Sequence, residues 1–584
     1  MKRNKYIGLT MMAAGMLAAT SCSDFSDYNE TPVDVVASGN QSLWENISKD
    51  GQLTEFASLL QRVGFDTKLS ESRAYTVWAP ADGTFNVNEF SQMNDSLLLQ
   101  QFVKSHVAEY THGATGMISE RVHTLNNKSF LFEGDGSYTF DNIAVTRPNQ
   151  PSSNGVMHVI GGAARFYPNL IEYLNMGEGF DNLRDYIMHY NDTTLSDESV
   201  KGPMVNGVQT YLDSVLVVNN SLINRLRAQI ENEDSSYTFV IPTDEAYQKM
   251  YNRVKPLFNF ITQTKVQDLT NDKFNSASST LTRTSPKIDA AQLADSLTRF
   301  SIVRDLIYSN NDLYNQWVVG RGENTDTLRS TTRRKLSNPD DILNKYRVGA
   351  PVELSNGNAR IVDSLAFYPW ETFNQQIDVN PRYYLAKSFS STIHNQTLPE
   401  ELVEDVFGPE SGITNFRYYW IEPDGIYSKP DFFITLPDVL SAEYDFYVVF
   451  LPSAWRQLGN DARPSKVNFQ LNYCNTNGDL KNFFFSKGNA DLLQSGGKPV
   501  EVKAVNATTA FQNDPTKTDT VYIGRFKFPV AYAGLSGDYA PNIRCTTPVN
   551  PLIATQTKAN TLSVRIAEII LKPVEDDQIE ANNK

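Results

Sequence analysis

Tyr75-Thr76-Val77-Trp78-Ala79-Pro80-Ala81-Asp82-Gly83-Thr84-Phe85 decides the fold, because the chain writes it twice. The second form is Tyr237-Thr238-Phe239-Val240-Ile241-Pro242-Thr243-Asp244-Glu245-Ala246-Tyr247. Each opens with apolar and β-branched residues and reads as a short buried strand. Pro80 and Pro242 stop it, since proline gives no N–H to a sheet ladder. Asp or Thr follows, a residue type suited to cap the next helix.

Working outward, each copy sits in similar company. Before the first, Leu43, Trp44, Ile47, Leu53, Phe56, Leu59 and Leu60 recur at helical spacing. Before the second, Leu183, Tyr186 and Ile187 begin such a stretch, and Leu222, Ile223 and Leu226 add another. Each copy later reaches an apolar run, Gly155–Ile160 in one and Ala359–Leu365 in the other. Both runs lead to an aromatic-proline step, Phe166-Tyr167-Pro168 and Phe367-Tyr368-Pro369.

This set resembles the fasciclin domain. Thr76–Phe85 and Thr238–Tyr247 match its first signature, and Asn154–Ile160 matches its second; Asn356–Leu365 matches the second loosely. A histidine that the family often carries between them is matched by His106, in Phe102-Val103-Lys104-Ser105-His106-Val107. The second copy has Phe300-Ser301-Ile302-Val303 in that region, without a histidine. The resemblance covers roughly residues 40–372. It implies α+β folds and attachment to extracellular proteins or glycans.

The copies differ in spacing. Thr76 to Gly155 is 79 positions and Thr238 to Gly357 is 119, so the second carries about 40 more. Polar stretches Gln267–Ser296 and Gly320–Asn344 read as surface insertions.

Beyond Pro369 the pattern turns to short β-runs. Asp431–Leu436, Tyr444–Leu451, Asn482–Phe485, Val500–Val505, Val521–Val530 and Leu562–Leu571 read as strands, and Val467, Phe469, Leu471 and Tyr473 alternate strictly. Gly524 interrupts one alternation and suggests a bulge. The expected fold class is multidomain: two α+β fasciclin-like domains, then an all-β antiparallel sandwich whose last strand resembles that of a jelly roll.

The N-terminus says where the protein works. Lys2, Arg3 and Lys5 precede an uncharged run from Tyr6 to Ala19, then Thr20-Ser21-Cys22. About 14 apolar residues are too few to span a bilayer, which takes ~20, so this reads as a signal peptide. The placing of Cys22 resembles a bacterial lipobox. That implies cleavage before Cys22, a diacylglyceryl thioether and an acylated amine, with fatty chains such as palmitate holding the protein to the membrane. Asp24 and Asp27 resemble, weakly, the surface-export signal of Bacteroidota lipoproteins. The outer membrane with cell-surface exposure is the expected location; the periplasmic face and plain secretion are the alternatives. The expected division is signal peptide 1–21, lipidated tether 22–39, fasciclin-like domains 40–170 and 171–375, and β-sandwich 376–584.

Composition fits this. The chain has 584 residues, 40% of them hydrophobic, and a formal charge of −15 that falls to about −18 when the signal leaves. An acidic balance argues against nucleic acid, which needs clustered Lys and Arg. Three cysteines make at most one disulfide; Cys474 and Cys545 either pair or stay as buried thiols. Six histidines leave little for a metal site. No metalloprotease, nucleophile-elbow, P-loop or Cys-x-x-Cys motif occurs. No cofactor and no metal are expected.

The leading functional reading is therefore a non-catalytic lipoprotein that binds extracellular protein or glycan. The alternative is an accessory glycan- or peptide-binding lipoprotein of a starch-utilisation-type outer-membrane transporter complex. A hydrolase in the β-domain is a third. Candidate ligand-binding residues are His106, Tyr418, Tyr419, Trp420 and Trp455, since aromatic rings stack on sugars. The ordinary alternative is a satisfied structural histidine and core aromatics. Asp-Ser/Thr-small/aliphatic triplets place candidate O-glycosylation at Ser96, Thr193, Ser214, Ser296, Thr327 and Thr520, and turn or cap chemistry explains such triplets equally. Ser364 shares the triplet but lies in an apolar run, which makes it the poorest acceptor.

Overall fold

The computed structural model describes residues 39–574 apart from 198, 206, 214–215, 262–288, 320–325, 381–385, 399, 408–415, 456–457, 459, 534–539, 553 and 555–558. Cys22, Ser214 and most of the first polar insertion lie outside the described residues. The chain forms two compact units. The first holds the chain up to Tyr173 together with Ile230–Ser235 and Glu353–Gly357. The second holds Leu174–Gln229, Ser236–Val352 and everything from Asn358.

In the first unit, α1 (Leu43–Lys49) starts on a capping box in which Ser42 and Glu45 exchange hydrogen bonds. Helix α2 (Thr54–Arg62) buries Phe56, Leu59 and Leu60, one stripe at i, i+3, i+4. Seven strands follow: β1 (Tyr75–Pro80), β2 (Val107–Glu109), β3 (Met117–His123), β4 (Ser129–Asp135), β5 (Ser137–Phe140), β6 (Ile143–Ser152) and β7 (Gly155–Ile160). Their order is β2-β1-β7-β6-β5-β4-β3, with only the β1–β7 pair parallel. Strand β1 is buried at every position and ends at Pro80 as expected. Its alternation feeds two clusters. Tyr75, Val77 and Ala79 join Phe56, Leu60 and Phe102, whereas Trp78 joins Phe132 and Phe140. Each buried Phe contributes roughly 1.5–3 kcal/mol.

Asp82 corrects one expectation. It does not cap the following helix; its carboxylate accepts from Thr54 N at 3.0 Å and Glu55 N at 2.9 Å, capping the preceding α2. The end of β1 simply lies beside the start of α2.

In the second unit, α3 (Asp181–Met188) buries Leu183, Tyr186 and Ile187. Strand β8 (Tyr237–Pro242) is again wholly buried, between β9 (Ile307–Ser309) and β10 (Gly357–Val362). Tyr237, Thr238 and Phe239 pair with Ser309, Tyr308 and Ile307, as Tyr75, Thr76 and Val77 pair with Glu109, Ala108 and Val107. Here Thr243 does cap the next helix, α4 (Asp244–Val254). Asp244 repeats the work of Asp82 by accepting from Asn182 N at 2.7 Å on α3.

The insertions differ from those expected. Asn191–Leu195 pairs with Leu216–Asn220, and Val200–Val205 with Val208–Asp213, forming a β-arm ahead of β8. Of the first expected insertion, Ala290 onward belongs to helix α5 (Ala290–Val303). In the second, Leu328–Arg329 pairs with Lys335–Leu336.

Twelve more strands follow: β11 (Ile377–Val379), β12 (Ala386–Ser388), β13 (Ser391–Thr397), β14 (Arg417–Pro423), β15 (Asp431–Thr435), β16 (Glu443–Phe450), β17 (Lys466–Cys474), β18 (Leu480–Phe484), β19 (Phe511–Gln512), β20 (Asp519–Lys527), β21 (Asn542–Thr546) and β22 (Val564–Pro573). One sheet runs β13-β14-β22-β16-β20, with β11 also on β22; the other runs β12-β15-β21-β17-β18, with β19 on β17. Both send side chains into one core, Tyr419, Phe446 and Ile566 from one sheet and Phe432, Phe469 and Ile543 from the other. Gly524 marks a bulge where Phe446 pairs with Gly524 but Tyr447 with Tyr522. Val500–Val505 is not a strand. Val500 is exposed, and its amide and carbonyl bond to the Asn489 side chain rather than to a ladder. Cys474 and Cys545 are both buried, and no disulfide joins them. This β-region is joined to the second repeat: Ser441 N donates to Leu257 O, and Ala531 N to Asn259 O, both at 2.8 Å.

Candidate functional site

Only glycine fits where β7 begins. A Cβ on Gly155 would lie 1.9 Å from Tyr75 O, at a φ of +144°. Just before it, Asn154 ties three segments together. Its side-chain amide donates to Leu69 O and Glu71 O, and its oxygen accepts from Leu43 N. Asn356 does the same, donating to Ile230 O and Asn232 O and accepting from Leu170 N. The loosely matching second signature therefore keeps the residue that does the structural work.

His106 is wholly buried. Its Nδ1 lies 2.7 Å from Phe102 O, and Nε2 accepts from Ala164 N at 2.9 Å. An amide can only donate, so the proton sits on Nδ1. Burial pulls the imidazole down to about 4, against a smaller upward pull from the Phe102 carbonyl. It is a neutral core group with both nitrogens used, which corrects the ligand-binding expectation for His106. His158 is similar. It accepts from Asn149 N, donates to His112 O and stacks on Trp78. Burial holds it at about 4 as well.

The aromatic candidates divide. Tyr418 is 5% exposed and Tyr419 3%, so neither ring offers a face to a sugar. Their alternation on β14 sends Tyr419 into the core shared by both sheets and Tyr418 into a second cluster outside it. Trp420 and Trp455 are half-buried beside that second cluster. Trp420 Nε1 donates to Ser563 Oγ at 2.8 Å, and Trp455 Nε1 to Thr516 O at 3.2 Å. Tyr418 and Tyr419 are thus corrected to core residues, whereas Trp420 and Trp455 keep some exposed surface.

Sequence reasoning missed two ionisable residues on β22. Arg565 pairs directly across from Trp420 and lies 5.0 Å from its ring. It is 5% exposed, and its Nε and Nη1 have no partner among the described residues. Glu568 is also buried, and burial, reinforced by Asp378, raises its carboxyl to about 8. A register shift at Ala567 puts both on one face, because Phe450 pairs with Ile566 and Val449 with Glu568. In the sequence they stand in the most apolar run of the domain, and no signal there separates them from the strand.

Of the glycosylation candidates, Ser96, Thr193 and Thr520 are exposed, and Ser296 and Thr327 are half-buried. Ser364 lines a cavity of about 310 Å³ with Lys249, Arg253, Asp341 and Tyr368. Among the described residues no cluster of three or more His, Cys, Asp or Glu is placed to hold a metal, and no helix is long and apolar enough to cross a membrane.

The family model described as the fasciclin domain matches residues 51–163, the region of α2 and the seven-stranded sheet. No curated protein matches the chain. Among solved structures, a FAS1 domain pair from the insect cell adhesion molecule fasciclin I is 13% identical, covering 55% of this chain and 98% of that one, at a TM-score of 0.19. The carbohydrate-binding and catalytic modules of a Clostridium thermocellum endo-1,4-beta-D-xylanase follow at 7% identity, covering 34% of this chain and 28% of that one, at a TM-score of 0.19. The enzymatically active domain of a bacteriophage CBA120 tailspike is 6% identical, with 33% and 19% covered and a TM-score of 0.16. Scores this low carry no inference about activity. The chain is multidomain, with a region similar to the fasciclin domain and further β-rich regions beside it.

Proposed function

We propose that the protein is a lipid-anchored adhesin of a bacterial outer membrane, displayed on the cell surface and binding extracellular protein or glycan without catalysing a reaction. One observation carries the reading. The fasciclin-matching region and the second repeat share a hydrogen-bonded frame, with Asp82 and Asp244 capping a helix and Asn154 and Asn356 tying segments together. This repetition supports a tandem use of the domain type, and with it an adhesion module. The lipobox-like placing of Cys22 supports the anchor, and the two six-stranded sheets that share a core support a jelly-roll-like sandwich as the third module.

Two measurements test this. Protease applied to intact cells should remove the protein if it is displayed; full protection overturns surface exposure. The mature protein, applied to arrays of matrix proteins and glycans, should retain at least one of them. Retention of none overturns the adhesion reading.

A further inference from the structure

A cavity of about 460 Å³ opens where α5 of the second repeat meets the β-region, within the second unit. That size suits a small ligand, for which ~300–1,000 Å³ is usual. Three guanidinium groups line it, Arg225, Arg304 and Arg334, in a protein whose overall charge is −15. They come from three separate segments; Arg334 stands in the basic run Arg333-Arg334-Lys335, and only the fold brings Arg225 and Arg304 to the same cavity.

Their partners do not balance them. Arg304 Nε bonds Asp305 Oδ2 at 3.1 Å, and Arg334 Nε lies 3.6 Å from the same oxygen. The other carboxylate oxygen of Asp305 is taken by Ser330 Oγ and Thr332 Oγ1, each at 2.8 Å. Asp305 is fully buried. Beyond it, Arg304 donates to Thr372 O and Arg334 to Glu371 O. Arg225 has no hydrogen-bond or ion-pair partner among the described residues; its guanidinium rests 3.6 Å from the centre of the Phe300 ring. Asp438 is the other carboxylate among the lining residues. Among the described residues, three cations stand against two carboxylates here, an excess of positive charge. Burial, then the neighbouring Arg304 charge, pulls the Arg334 guanidinium down to about 10. Crowding of this kind is relieved by an anion.

The remaining walls add selectivity. Half-buried Phe260 gives an apolar face, the buried Phe258, Phe373 and Tyr532 complete the apolar lining, and Gln375 and Gln376 give amides. Both amide nitrogens are engaged, with Glu371 O and Asp378 Oδ1, so their oxygens are left to accept from hydroxyls. Planar guanidinium forks match carboxylate and sulfate geometry, aromatic faces match the C–H face of a pyranose, and amide oxygens match its hydroxyls.

We propose that this cavity binds a sugar carrying an oxyanion, a uronate or a sulfated sugar, with Arg225 as the anchoring cation on the open side. The proposal rests on the reading that the protein binds an extracellular glycan, and it names the chemical class.

Calorimetry on the full mature chain tests it, with tri-galacturonate, a sulfated disaccharide and neutral maltotriose as probes. At least one acidic probe should bind, and maltotriose should bind at least tenfold more weakly. Comparing the two acidic probes tells uronate from sulfate. Arg225→Gln should weaken the acidic probe roughly tenfold to hundredfold, the range of a charge-assisted hydrogen bond, without changing Tm. Arg225→Lys should recover part of the loss. Equal binding of maltotriose, unchanged affinity of the Arg225→Gln protein, or no acidic binding at millimolar concentration each overturns the proposal. Array binding that survives Arg225→Gln sinks the cavity and leaves the adhesin standing; acidic-sugar binding by a protein shielded from external protease does the reverse.

Discussion

Leu306 occupies in the second repeat the place that His106 holds in the first. Each stands one residue before the residue, Ile307 or Val107, that pairs with the third position of the repeated strand. Both are wholly buried. A hydrocarbon thus serves where an imidazole serves, which argues for a packing role of His106.

His106→Leu should therefore give a folded protein, about 1–3 kcal/mol less stable because Ala164 N loses its acceptor. Its stability should also depend less on pH. A histidine held at about 4 when folded, against 6.5 unfolded, adds stability that is complete above pH 6.5 and lost as pH falls toward 4. The loss is on the order of 3 kcal/mol for each such group, and His158 is the second. Denaturant melts between pH 4 and 7 should show the variant gaining on the order of 3 kcal/mol less stability than the wild type as pH rises across that range. An unchanged pH dependence would falsify this account.

Glu568 has the opposite sign. Its carboxyl is raised to about 8 when folded, so its contribution is greatest below pH 4.5 and disappears as pH rises through 8. Glu568→Gln should stabilise the protein at pH 8, by on the order of 1–3 kcal/mol, and change little at pH 4.5. Thermal melts at the two pH values decide it, and equal shifts at both would remove burial as the cause.

Asn154→Ala and Asn356→Ala should each cost about 2–4 kcal/mol, because two carbonyls and one amide lose partners at buried or half-buried positions. Equal losses would show that the second copy depends on its frame as much as the first. A much smaller loss for Asn356→Ala would mean that its bonds are dispensable.

Cys474 and Cys545 should both react with a thiol reagent in denaturant and neither in the native protein. Both are buried, and burial raises the Cys545 thiol well above its usual range. A non-reducing digest that recovers them linked would contradict the structure.

The repeated strand was legible because its chemistry is local. A buried run, a terminating proline and an acid beside a helix start can be read within eleven residues. The β-strands that alternate, such as Val467–Tyr473, were legible for the same reason. Val500–Val505 misled because apolar content alone does not supply a neighbouring ladder. The arm over residues 191–220 escaped because its strands lean on each other and leave Met204, Val208 and Val218 exposed, so no alternation marks a buried face. The family resemblance marks His106 as a site candidate and residue type marks Tyr418 and Tyr419, and only packing assigns all three to the interior. Arg225, Arg304 and Arg334 are separated by long stretches of chain, and proximity of that kind is written in the fold alone.

The make-up of the first unit sets an order of events during synthesis. Lys128 is buried against Glu172 and Glu233, and Asn169 also reaches Glu233. Ser355 N donates to Pro168 O. A nascent chain that has delivered only its first 173 residues holds a buried cation without one of its two carboxylates. The first unit lacks two of its segments until residue 357 has emerged, so a stop codon between the repeats yields an incomplete unit rather than a shorter protein with that unit whole.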